Sequence, residues 1–180
     1  MDLQALTKQI EELGKEPPFD QWHPTNCGEI DIEIKADGTW FHNGCPIGRI
    51  GLVKLFAQVL VYEEGNYYLK TPIEKMQIKV ADTPFVITQW EKHETEQGDA
   101  IEVSSNLDHK AILSAEHPLE VKDEGDEPQL IVTLHRNLTA KVHRNVYYQW
   151  VELAQEQPIN NQAHLVIQSA GEAFSLGRLD

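Results

Sequence analysis

A chain of 180 residues with 41% hydrophobic and 24% charged content can bury one large core or two small ones, and its composition is that of a folded protein. Its formal net charge of -14, with no lysine-rich or arginine-rich run, repels a polyphosphate backbone and sets aside DNA, RNA and anionic membranes as partners. Cys27 and Cys45 are the only cysteines, and the N-terminal run MDLQALTKQIEELG has acids among its apolar residues, so the expectation is reduced thiols, no signal peptide, no membrane span and a cytoplasmic location.

Leu3, Leu6, Ile10 and Leu13 recur at helical spacing until Gly14 and Pro17-Pro18 stop them, which predicts a docking helix packed by one stripe. Ile30, Ile32 and Ile34 alternate with acids, Asp37-Gly38 supplies a turn, and Thr39 to Phe41 return as the second strand of a hairpin. Gly44, Pro46 and Gly48 then break the chain before Ile50, Leu52, Val53, Leu55, Phe56, Val59 and Leu60. That apolar set predicts a helix that is largely buried. Gly65-Asn66 turns into strands at Tyr67 to Lys70 and Met76 to Val80, and Asp82-Thr83-Pro84 ends a first lobe, residues 1–81.

The second lobe, residues 82–180, reads as short strands: Phe85 to Glu91, Ile101 to Ser105, Ala111 to Ser114, Leu119 to Lys122, Gln129 to His135 and Leu138 to Val142. The acidic run Asp123 to Glu127 is one of the separators. Such spacing favours a curled antiparallel sheet or small barrel. Val146, Tyr147, Trp150, Val151, Leu153 and Ala154 form the apolar face of a helix beginning near Arg144, which would plug it, with Trp150 in the core. Strands at Leu165 to Ser169 and Phe174 to Leu176 close the chain. The fold class is α+β.

The two lobes share an order: strand, helix opened by an arginine (Arg49, Arg144), turn, strand, then a hydroxyl residue with a glutamate three positions on (Thr71 and Glu74, Ser169 and Glu172). This predicts a duplicated strand-helix-strand core. Both copies also avoid acids, with none from Gly38 to Tyr62 and none from Pro128 to Val151, although Arg49, Lys54, Arg136, Lys141 and Arg144 lie inside them. Packed faces exclude charge of either sign, which accounts for the missing acids and not for the bases. The sharper reading is a local anion site between the lobes, with Arg49, Arg136 and Arg144 facing the anion and Trp40 or Tyr148 against an apolar or aromatic part of the ligand. On the other reading the arginines are structural clamps, paired internally to Glu74 or Glu172.

The run DGTWFHNGCPIGRIGLVKLF, followed by YYLKTPIEKMQIKVADTPF, resembles the bacterial family catalogued as domain of unknown function 1285. Trp40, Gly44, Pro46-Ile47, Arg49, Leu55-Phe56, Thr71-Pro72, Glu74-Lys75 and Asp82 to Phe85 carry the resemblance. It implies a duplicated two-lobe core, a C-terminal lobe similar to a pleckstrin-homology-like barrel, a ligand site between the lobes, a nucleotide-like ligand and a signalling role. It supplies no catalytic residue. The candidate ligand-binding set is therefore Trp40, Arg49, Glu74, Lys75, Arg136, Arg144 and Tyr148.

His135-Arg136 and His143-Arg144 place a histidine and an arginine at both ends of one strand, where a polyanion would bridge them or where they are simply its polar ends. His23, Cys27, His42 and Cys45 are the right residue types for tetrahedral zinc but lack a finger's spacing, so no metal and no cofactor is assigned. No Ser-His-acid elbow, two-His helix motif or catalytic carboxylate pair is found, and non-enzymatic binding of a small anion is favoured over catalysis. Two other readings stand beside it: a protein-interaction module using sheet edges or the N-terminal helix, and a zinc or thiol protein.

Overall fold

The structure, a computed structural model, describes residues 2–123 and 128–179; most of the acidic separator, at 124–127, lies outside the described residues. Contacts divide the chain after Pro84 into two compact units.

In the N-terminal unit, α1 (Leu3–Glu11) is capped by Asp2, whose carboxylate accepts from the Gln4 N–H at 3.2 Å. It buries Leu6 and Ile10 completely, worth about 1.5–3 kcal/mol each. Strands β1 (Asn26–Ile34), β2 (Trp40–His42) and β3 (Cys45–Pro46) precede α2 (Ile50–Gln58), and β4 (Leu60–Glu63), β5 (Asn66–Lys70) and β6 (Glu74–Val80) follow it. The β1–β2 turn forms as its sequence dictates. Gly38 adopts φ 87, and Asp37 accepts from the Thr39 N–H at 2.9 Å.

The six strands make one sheet in the order β3-β2-β1-β6-β5-β4, antiparallel except where β1 meets β6. The alternating isoleucines of β1 point to one face, where Ile32 and Ile34 are fully buried. The expectation of a largely buried second helix is corrected: only Val53, Phe56 and Ala57 are buried in α2, and Ile50 is 57% exposed. Its apolar run looked too broad because it spans two elements. Helix α2 ends at Gln58, so Leu60 belongs to β4.

In the C-terminal unit, β7 (Phe85–Thr95), β8 (Gly98–Ser105), β9 (Lys110–Ile112), β10 (Leu119–Lys122), β11 (Gln129–Thr133) and β12 (Thr139–Val142) form a second six-stranded sheet, ordered β10-β11-β12-β7-β8-β9. Its single parallel pair is β12 with β7. The sheet does not close into a barrel, since β10 and β9 stand at its two ends. Helix α3 (Arg144–Leu153) packs on β7 and buries Val146 and Trp150, and Trp150 meets Trp90 edge-to-face at 6.4 Å. Strands β13 (Gln155–Ile159), β14 (Gln162–Ser169) and β15 (Glu172–Arg178) make a separate three-stranded meander. Asn160 and Asn161 turn β13 into β14 with φ 52 and 64, the left-handed pair that a two-residue hairpin requires.

The shared order is visible in the elements. Hairpin, helix and three-strand meander describe β1-β2, α2, β4-β5-β6, and again β11-β12, α3, β13-β14-β15. The copies close differently. The first meander joins its hairpin's sheet through β6, whereas β12 takes β7 as parallel neighbour and the second meander stays apart.

Candidate functional site

The basic side chains near Arg136 form the densest group of perturbed chemistry among the described residues. Arg136 sits in the single turn His135–Asn137 that joins β11 to β12, and Leu134 and Leu138 pinch the base of that turn with an N–H to C=O bond of 2.7 Å. Arg136 has φ 56 and ψ 28, and Asn137 also has φ 56. Left-handed backbone at a long-chain, non-glycine residue costs on the order of 1 kcal/mol.

The turn sets the Arg136 Nη2 3.3 Å from His135 Nε2. A guanidinium has only donors, so His135 accepts on Nε2 and carries its proton on Nδ1. His109, in the loop after β8, lies against the same ring with centroids 4.9 Å apart, and it also meets the Phe85 ring, T-shaped, at 4.7 Å. His117, just before β10, is held by its Nδ1 at 3.1 Å from the Thr133 carbonyl. All four basic side chains are partly buried. Burial, followed by the charges of Arg136, His109 and His117, pushes His135 down to about 4 from 6.5. Burial alone brings Arg136 down to about 10.

A half-buried guanidinium flanked by imidazoles offers directed donors in a medium of low dielectric, where a negative charge is stabilised most. The Ser105 hydroxyl lies 3.3 Å from His109 Nδ1, yet it is no nucleophile: Ser105 is buried, and its Oγ accepts from the N–H groups of Leu107 and His109. It locks the loop that presents His109.

The remaining candidates fall elsewhere. Trp40 is 1% exposed in the N-terminal core, stacked on Phe56 at 6.4 Å. Arg49 is the exposed N-cap of α2 and makes no side-chain cap bond. It does not pair with Glu74, whose carboxylate accepts from Asn26 Nδ2 at 3.0 Å and Gln9 Nε2 at 3.4 Å. Thr71 lies fully buried beside it. Its hydroxyl accepts from the Glu74 N–H at 3.1 Å and bonds Gln9 Oε1 at 3.1 Å, so the Thr71–Glu74 signature is a turn that docks α1.

Lys75 is committed to Glu63 at 2.5 Å and lies 4.3 Å from the Tyr68 ring, and Lys70 holds the other oxygen of Glu63 at 2.8 Å. The hydrogen bond to Glu63 raises the Lys75 ammonium above its ordinary value. Burial opposes the charge on Glu63, but the two lysines outweigh it and hold the carboxyl below its usual range. Arg144 and Tyr148 are exposed on successive turns of α3, Tyr148 by 55%. Helix α3 is capped by His143, which accepts on Nδ1 from the Asn145 N–H at 3.2 Å.

The four zinc-type residues do not assemble. His42 and Cys45 face each other across β2 and β3, Cys27 sits opposite Lys75, and both thiols are free and exposed. Among the described residues, three donors do converge at Glu91, His93 and Glu102, where the imidazole is 3.9 Å from each carboxylate. Lys110 already holds Glu102 at 2.9 Å, so this group reads as a surface ion-pair cluster.

Of the candidate groups that the sequence offers, only the doublet His135-Arg136 enters the basic cluster. His109 and His117 carry no motif. Their only signals are a turn residue, Asp108 at φ 63, before one and Pro118 after the other.

Comparison with known proteins follows the same division of the chain. Residues 17–83 match the N-terminal domain of the family described as domain of unknown function (DUF1285), and residues 84–176 match its C-terminal domain. A DUF1285 family protein from Silicibacter pomeroyi DSS-3 is 30% identical, with a TM-score of 0.87 over 99% of this chain and 96% of that one. Another from Shewanella baltica OS155 is 26% identical, with a TM-score of 0.55 over 67% of this chain and 90% of that one. No curated protein matches. With both halves matched in order, the chain belongs to the DUF1285 family.

Proposed function

We propose that this protein is a non-catalytic binding module for a small anionic ligand, which it holds in the C-terminal unit at Arg136 and the histidines around it. The observation that carries the reading is the half-buried Arg136 guanidinium on a left-handed turn, 3.3 Å from His135 and backed by His109 and His117. Four basic groups drawn from three loops are concentrated there in a chain of net charge -14. A phosphate-bearing, nucleotide-like ligand is the member of this class that the family resemblance implies, and a signalling role would follow from binding without catalysis.

A panel of inorganic phosphate, pyrophosphate and nucleoside mono-, di- and triphosphates, tested by thermal shift at constant ionic strength, checks the reading. A ligand of this site raises the melting temperature in proportion to RT ln(1 + [L]/Kd). Arg49→Ala retains that response. A panel with no response, or a response that Arg49→Ala removes, sinks the assignment.

The same cluster predicts a pH dependence. His135 titrates at 6.5 when unfolded and about 4 when folded, so between these values the unfolded chain binds more protons. Stability is therefore complete above pH 6.5 and is lost as the pH falls towards 4. After allowance for solvent screening of a partly exposed ring, the loss is about 1–2 kcal/mol. Urea titrations across this range should show it, and His135→Phe should flatten the curve.

A further inference from the structure

The C-terminal unit holds a cleft of about 190 Å³ that the basic cluster does not touch. One wall is a face of the second sheet: Trp90 and Lys92 on β7, with Ile101 directly opposite Lys92 on β8 and Asp99 beyond it. The other wall is Val166 and Ile167 on β14, with Leu153 from the end of α3 and the exposed, polar Gln155 and Gln168 completing the lining. Ile101, Val166 and Ile167 are buried, whereas Leu153 is 52% exposed. For scale, an engineered apolar cavity of roughly 150 Å³ accepts benzene. The space fits one ring or one short branched chain.

The rim decides what that chain is attached to. Lys92 and Asp99 pair there at 2.6 Å and are about half exposed, with side chains 52% and 45% accessible. An ion pair this exposed is weak, so separating it costs little. A ligand bearing one charge would engage one partner and leave the other to solvent alone. A zwitterion re-pairs both, its carboxylate on the Lys92 ammonium and its own ammonium on the Asp99 carboxylate, while its side chain enters the cleft.

We infer that this cleft is a second, independent binding site, for a free α-amino acid with a branched or aromatic side chain.

The test is calorimetric titration of the full chain with L-leucine and L-phenylalanine, with the Trp90 indole N–H followed by NMR and assigned through Trp90→Phe. The comparison ligands are glycine, which lacks the side chain, 4-methylpentanoate, which lacks the ammonium, and leucinamide, which lacks the carboxylate. Leucine or phenylalanine should bind at least about tenfold more tightly than any of the three and shift the Trp90 signal. Lys92→Met should abolish the advantage over leucinamide, and Asp99→Asn the advantage over 4-methylpentanoate. Both residues are on the surface, so the fold survives these changes. Arg136→Gln should leave amino-acid binding unchanged, which separates this site from the anion site. An unmoved Trp90 signal at saturating amino acid, or equal affinity for zwitterion and one-charge analogues, overturns the inference.

Discussion

Ser169→Ala should lower the stability of the C-terminal unit by about 2–4 kcal/mol. Ser169 is 0% exposed at the end of β14, and its hydroxyl is shared between two partners. It accepts from the Ile101 N–H at 2.8 Å and donates to the Leu113 carbonyl at 2.7 Å, so one oxygen ties the meander to the six-stranded sheet. Alanine leaves a buried donor and a buried acceptor without that partner, each at a cost of about 1–3 kcal/mol. The midpoint of urea unfolding, followed by the near-ultraviolet signal of the tryptophans, reads the loss. A midpoint equal to that of the parent chain would show that water or backbone movement satisfies both groups. Glu172, three positions on, does something different: its Oε1 accepts from the Ala115 N–H at 2.9 Å.

Arg136→Gln should weaken anion binding by roughly 10- to 150-fold, the equivalent of about 1.5–3 kcal/mol for a hydrogen bond to a charged group. Glutamine keeps length and one donor but removes the charge and the fork. A second variant protects the result from misfolding. Arg136→Gly preserves the left-handed turn and relieves it by about 1 kcal/mol, so it should also lose binding while the chain stays folded. If either variant binds as the parent does, the guanidinium is not the anion's partner.

How much was legible in the sequence follows from how local each signal is. Helix α1 and the Asp37-Gly38 turn are set by residues within a few positions of each other, and each forms where the pattern places it. The duplication was legible for the same reason, being an order of local elements. Strands β3 and β13 were not. Cys45-Pro46 and Gln155 to Pro158 have no apolar alternation, and these strands exist because a neighbour pairs with them. The apolar run across α2 and β4 concealed an element boundary because helix and strand draw on the same residues there.

The site was less legible than the fold. The hydroxyl and glutamate signatures stood out as a repeat, but their tasks differ: Thr71 closes a turn against α1, while Ser169 joins two sheets. The question whether Arg49 and Glu74 satisfy each other is answered by Asn26 and Gln9, which take the carboxylate instead. The basic cluster is assembled from residues 109, 117, 135 and 136, and only the sheet order that brings those loops together could reveal it.

The most direct test of the anion reading is the titration of the His135 imidazole by NMR, with and without pyrophosphate. In the free protein the ring titrates near 4, because burial and its basic neighbours oppose a further positive charge. An anion on Arg136 reverses the local charge, and His135 should then titrate at least about one unit higher. A His135 titration that no phosphate-bearing anion moves would contradict the account.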